Sequence, residues 1–357
     1  MPEGAALERA WDALERGEPR AALGILGARV PAAMAVERDF VAAEAWRAMG
    51  YFPKAEALYR RVLSRREADQ DLLSDSAMAM AAIHRSLGRV GRARNFLNDA
   101  RRFSKKFRTP DYARRLDLED ALIDRARGLY PKCLARLRKL FSAFAAERDF
   151  ASAAFALWAM GGARRFSGDL RGAIGDFKKS LVFARKASDQ TAAAYAFLGL
   201  GGAARVAGRL GDSEIFYARA ARLLAGTQDA FGRAYAECGL ANALRQKGDY
   251  AAAAKRYRKA YRLYSSLGDA VDLAYVDWGL GQVAFHSGDI ESARRKFAAA
   301  LAAFEKAGEA RGVVIARMAL ASALHAGGRT KPAESLFRQA LLSSRRAKIH
   351  AHLEALT

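Results

Sequence analysis

Residues 230–269 read AFGRAYAECGLANALRQKGDYAAAAKRYRKAYRLYSSLGD. From Ala230 to Gln246 the apolar positions Tyr235, Cys238, Leu240, Ala241 and Leu244 recur at helical spacing, with Arg233, Glu237 and Arg245 between them. Lys247-Gly248-Asp249-Tyr250 ends that helix. Gly248 can adopt the positive φ of a helix exit, and the Asp249 carboxylate can accept from the free amides of the next helix. Ala251 to Leu267 then reads as a second helix, with Ala253, Tyr257, Ala260, Tyr261 and Tyr264 on its apolar face, and Gly268-Asp269 breaks the chain again.

Working outward, the turn glycine recurs every forty residues at Gly168, Gly208, Gly248, Gly288 and Gly328, and back through Gly128 and Gly88. Gly50 and Gly17 continue it at intervals of 38 and 33. A fixed period of this length marks stacked helical units that bury their apolar faces against one another. Asp149, Asp189, Asp229, Asp269 and Glu309 occupy one place in successive units and read as helix starts. Small residues (Gly161, Gly201, Gly281) precede the turn glycines by seven positions, and Ala173, Ser213, Ala253 and Ala293 follow them by five. Four residues later a large side chain returns, as Phe177, Tyr217, Tyr257 or Phe297, placed to wedge between the two helices and the next pair.

The sets Leu280-Gly281-Gln282, Gly288-Asp289, Ala293, Phe297, Ala300 and Leu240-Ala241-Asn242, Gly248, Ala253, Tyr257, Ala260 resemble the tetratricopeptide repeat. The forty-residue length resembles the long-helix repeats of cell-polarity adaptors and kinesin light chain. The resemblance implies an all-α, right-handed superhelical solenoid of about nine antiparallel helical hairpins. Residues 1–357 are expected to form one solenoid, with irregular repeats over 1–148, regular ones over 149–346, and a terminal helical cap or tail over 347–357. Asp120, where a leucine is usual, and Tyr130-Pro131-Lys132 mark the irregular part.

The resemblance also implies that first helices line the ligand-binding groove. Arg85, Arg125, Arg165, Arg205 and Arg245 lie three residues before successive turn glycines, with Arg47 in the same place of the second unit. Phe155, Tyr195, Tyr235 and Tyr275 stand ten residues before that place, with Trp158 and Trp278 three residues beyond Phe155 and Tyr275. Asn242, and Gln282 as a longer amide, resemble backbone-holding residues of related repeats. Guanidinium groups pair with carboxylates and rings anchor apolar side chains, so the stripe is expected to hold an acidic segment with hydrophobic anchors. The structural reading of the same residues packs the rings between neighbouring first helices, under arginine stems.

The formal charge of +22 draws acidic proteins or nucleic acid to the surface. Basic clusters such as Lys255-Arg256 with Arg258-Lys259 read as a solvated outer face. No nucleotide loop and no nucleophile–base–orienter set is present, and His350 with His352 makes only a weak metal motif. The expectation is therefore a cytoplasmic, non-enzymatic interaction scaffold without cofactor, metal or small-molecule substrate. Two alternatives accompany it: an RNA or single-stranded nucleic-acid-binding solenoid, and a peptide-responsive regulatory receptor. No oligomeric state follows from the pattern. Two cysteines, Cys133 and Cys238, read as reduced thiols, and no segment is apolar enough to span a bilayer.

Overall fold

The turn glycines divide the chain as their period requires. A computed structural model describes residues 4–27, 30–65, 68–106 and 109–347. Eighteen α-helices pair into nine consecutive hairpins: α1 (Ala5–Glu15) with α2 (Pro19–Leu26), α3 (Ala35–Ala48) with α4 (Phe52–Ser64), and α5 (Gln70–Ser86) with α6 (Val90–Phe103). Then follow α7 (Pro110–Ala126) with α8 (Tyr130–Ala146), α9 (Phe150–Phe166) with α10 (Leu170–Lys186), and α11 (Gln190–Val206) with α12 (Leu210–Leu224). The last three pairs are α13 (Ala230–Gln246) with α14 (Tyr250–Leu267), α15 (Ala270–His286) with α16 (Ile290–Ala307), and α17 (Ala310–Ala326) with α18 (Thr330–Ala347). No strand occurs among the described residues. The result is an all-α, tetratricopeptide-like repeat solenoid. No described helix is long and apolar enough to cross a membrane. The terminal segment beyond Ala347, including His350 and His352, lies outside the described residues.

Two compact units emerge, Met1–Ala196 with Leu223–Ala230, and Phe197–Arg222 with Phe231–Thr357. The first hairpin is short, with helices of 11 and 8 residues, whereas α9 and α10 each run for 17. The carboxylates of Asp149, Asp169, Asp249 and Asp289 accept from backbone amides of Ser152, Gly172, Ala252 and Ser292, stopping each helix start from fraying. Between hairpins the chain also turns left-handed. Gly268 and Gly308 do so in the second unit, but Arg148 (φ 61) and Ser188 (φ 55) take the same conformation in the first.

In the first unit Leu137, Phe144, Leu157 and Met160 form part of one core cluster with the buried Cys133. Asp120 and Asp124 sit on α7, buried, and the salt-bridged arginines Arg94, Arg101 and Arg136 come from the helices on either side. The irregular leucine position is thus an ionic tie across three helices. In the second unit the wedge is explicit. A Cβ placed on Gly201 would lie 2.9 Å from the Tyr217 ring, and one on Gly239 would lie 2.1 Å from it. Tyr217 therefore fills the gap between its own hairpin and the next, and Tyr257 does the same against Gly279.

Candidate functional site

First helices α3, α5, α7 and α9 carry the arginine series in the first unit. Arg47 is bound by Glu44 one turn earlier, and the Tyr59 hydroxyl donates to the same carboxylate. Arg85 is 15 % exposed and meets Glu119 of α7 through two hydrogen bonds, Nε to Oε1 at 2.6 Å and Nη2 to Oε2 at 3.2 Å. Those two rungs are neutralised from within the protein.

The next two are not. Arg125, half-buried, lays its guanidinium 5.2 Å from the centre of the Trp158 ring. Burial pushes its pKa down to about 10, and the positive charges of Arg85 and Arg165 push in the same direction. Arg165 stacks 4.7 Å from Phe166, and its Nε is buried without a hydrogen-bond partner. Gly162 makes the space, because a Cβ there would lie 2.8 Å from Arg125 Nη1. Exposed Phe155 lies 5.5 Å from Trp158, and Tyr195 meets the indole edge-on at 6.1 Å. The Tyr195 hydroxyl donates to Asp229 Oδ2 at 2.9 Å, so this ring also posts one repeat against the next. Two uncompensated guanidinium groups beside rings form a place where a carboxylate gains paired hydrogen bonds and an apolar side chain gains contact.

The second unit repeats the chemistry in a more closed form. Arg205 and Arg245 are both buried. Arg245 Nε donates to the Tyr257 hydroxyl at 3.3 Å, that hydroxyl donates to Asn242 Oδ1 at 2.6 Å, and Asn242 Nδ2 donates to Cys238 Sγ at 3.8 Å. Burial pushes the Cys238 thiol up to about 12, with Asp272 adding to the shift and Arg205 and Arg245 opposing it. The Arg245 guanidinium lies 5.3 Å from the centre of the Trp278 ring, repeating the Arg125–Trp158 pair. Trp278 belongs to the core of its unit, and its indole N–H is buried without an acceptor. Tyr235 stacks with Phe231 at 6.4 Å. Tyr275 donates to Glu309 at 3.0 Å and packs edge-on against Phe304 at 4.7 Å. Gln282 sits half-buried on α15.

The series therefore separates into neutralised rungs (Arg47, Arg85), open rungs (Arg125, Arg165) and buried ones (Arg205, Arg245). Sequence reasoning missed Glu44 and Glu119 as partners, and missed Cys238 as part of the Asn242 network. The spacing of 34 between Tyr195 and Asp229, repeated between Tyr275 and Glu309, was the available signal for the hydroxyl–carboxylate posts. His84 is fully buried and stacks on Phe96, His286 stacks on Tyr250, and His325 is exposed.

Profiles of the tetratricopeptide repeat match residues 239–271 and 272–341. No curated protein matches the sequence. Solved structures share the fold over nearly the whole chain. A Rap protein complexed with competence and sporulation factor is 10 % identical, with 97 % of this chain and 98 % of that one covered at a TM-score of 0.72. The Rap conjugation gene regulator of plasmid pLS20, in complex with the Phr* peptide, is 12 % identical, with 97 % and 96 % covered at 0.66. Aspartyl phosphate phosphatase F from Bacillus subtilis is 10 % identical, with 96 % and 94 % covered at 0.57.

These likenesses correct two expectations. The reading as a non-enzymatic scaffold for an acidic segment gives way, because likenesses over nearly the whole chain are to a Rap protein and a Rap conjugation gene regulator, each solved with a named factor or peptide. The expectation that the chain is no enzyme gives way too, since the same helical architecture occurs in a named phosphatase. That expectation rests on the lack of a local catalytic motif. In a solenoid, reacting side chains can come from different helices and leave no fixed spacing in the sequence.

Proposed function

We propose that the protein is a peptide-responsive regulatory receptor. Its peptide presents a carboxylate and an apolar side chain to the first-helix face around Arg125, Trp158 and Arg165, and occupancy changes the protein's hold on a second macromolecule. The observation that carries this reading is the pair of guanidinium groups left without carboxylates beside the Trp158 and Phe155 rings. Tyr195 supports the indole from its edge. In the second unit Arg245, Asn242 and Tyr275 make hydrogen bonds with Tyr257, Cys238 and Glu309, and Arg205 and Trp278 are buried, so the corresponding positions there are less open to a ligand. Fold likeness to Rap regulators solved with a factor or peptide supports the responsive half of the proposal.

A pooled library of short peptides, with free and amidated carboxylates, tests it through tryptophan fluorescence of the purified chain. Carboxylate-bearing peptides are expected to bind saturably, and R125Q/R165Q to weaken them by about tenfold or more at unchanged helicity. Equal affinity of the double variant, or tighter binding of polyuridylate than of every peptide, would sink the assignment. The regulatory half is read separately, as a change in partner capture on adding the selected peptide.

A further inference from the structure

The second unit holds a cleft that the proposed peptide site does not use. It is a cavity of about 660 Å³ between α14, α15 and α16. Its floor is apolar, formed by the half-buried Leu280, Val283 and Ala284 of α15. Its rim on α14 carries Arg258, Tyr261 and Arg262, all exposed and on one helix face by their spacing.

The charge at this rim is unopposed. Helix α14 contains Lys255, Arg256, Arg258, Lys259 and Arg262 and no acidic residue. The nearby Glu237 carboxylate is taken by Arg256 at 3.1 Å and Lys259 at 2.5 Å. Asp277, the acid that lines the cleft, is held by Lys296 at 3.2 Å. Arg258 and Arg262 have no carboxylate partner among the described residues. Nor does the repeat fix arginine at every unit: Ala218 and Ala298 stand forty residues either side of Arg258, and Arg222 and Ala302 stand forty either side of Arg262. Alanine fits both places in α16, so helix packing does not by itself dictate the two arginines.

We propose that this cleft docks an amphipathic segment of a partner protein, seating a bulky apolar side chain on Leu280, Val283 and Ala284 while flanking carboxylates pair with Arg258 and Arg262. Tyr261 closes over the apolar side chain. An apolar floor with a cationic rim discriminates for such a segment against a plain polyanion, which gains only the rim, and against a neutral apolar helix, which leaves the rim unpaired. Helix α15 gives Leu280, Val283 and Ala284 to the cleft and also carries Tyr275 and Trp278, so a partner here touches the helix that holds those two rings.

The test uses the full chain and a fluorescein-labelled designed helix with Glu and Leu on one face. Its counterparts replace Glu by Gln or Leu by Ser, and polyglutamate and polyuridylate serve as competitors. The Glu/Leu helix is expected to bind saturably and to protect the amides around Leu280–Ala284 from hydrogen exchange. R258E/R262E is expected to weaken it about tenfold, and Tyr261→Ala severalfold. R125Q/R165Q should leave it unchanged, which separates failure of this cleft from failure of the peptide site. No saturable binding, equal binding of the Gln helix, or an unchanged affinity in R258E/R262E would overturn the proposal. Preferential displacement by polyuridylate would reassign the rim to nucleic acid.

Discussion

The two compact units spell one repeat with different chemistry. In the first, an arginine at the recurrent first-helix place is either bound to Glu44 or Glu119, or left open over Trp158 and Phe166. In the second, Arg245 at the same place is drawn into a network with Tyr257, Asn242 and Cys238. A shared position therefore fixes where a side chain stands, and the groups around it fix what it pairs with. Glu119 is one such group, and the Tyr257 hydroxyl is another.

Breaking the clearest ion pair should have the largest effect. Glu119→Gln leaves Arg85 largely buried without its carboxylate, and the expected cost is about 3 kcal/mol by urea titration. Asn242→Ala in the second unit should cost about 1 kcal/mol, since it removes a neutral hydrogen bond. Parity between the two would mean that Arg85 finds another acceptor. Next in size is the wedge. Gly239→Ala drives a methyl into the Tyr217 ring and should cost about 2 kcal/mol, with less for Gly161→Ala, where the nearest Phe177 atom is 2.8 Å away rather than 2.1 Å.

The thiols give a pH-dependent comparison. Burial pushes Cys133 to about 11 and Cys238 to about 12, from an ordinary 9.0. Above that ordinary value the unfolded chain releases protons that the native thiols retain, so stability falls as pH rises through the window up to the folded values. Each thiol contributes a slope of about 1.4 kcal/mol per pH unit there, the Cys133 part ending first. C133A and C238A each remove their own share of the alkaline slope in chemical denaturation across that window. A slope untouched by both variants would place it elsewhere.

Backbone strain supplies a smaller contrast. Ser188→Gly relieves a left-handed non-glycine residue and should stabilise by about 0.5–1 kcal/mol, whereas Gly268→Ser in the second unit should destabilise by a similar amount, both read as shifts in Tm. Smallest is Gly162→Ala, which meets only the mobile end of Arg125. Stability should move by less than about 0.5 kcal/mol. The tryptophan emission should nonetheless change as the guanidinium leaves the Trp158 face, and an unchanged spectrum would detach Gly162 from that pair.

Much of the fold is legible in the sequence because helix ends are local. The helix from Ala230 to Gln246 is readable to the residue, the second helix begins at Tyr250 rather than Ala251, and the aspartate caps follow from their place after each turn. Arg148 and Ser188 are not recognisable as left-handed turns, since neither side chain announces a positive φ. The site is less legible because it depends on contacts between helices. Asp120 stands out as a departure from the pattern, but the three arginines that hold it come from other helices. Tyr195 and Tyr275 read as anchors for a ligand, and their hydroxyls also bind the acid that opens the following repeat. The basic run of α14 reads as solvated surface, and the cleft beneath it exists only once α15 and α16 are packed.

The Tyr217 wedge has a consequence for how this chain can change length. The ring fits between Gly201 behind it and Gly239 ahead, and Tyr257 presents the same kind of face to Gly279. Excising one whole period, residues 208–247, would bring Gly201 against Tyr257 and leave the next junction intact. A cut of another length within the helices would shift the ring off its glycine. A length change that keeps these junctions is a whole forty-residue period, with the tyrosine and the glycine acting as the two halves of a splice site written in side-chain volume.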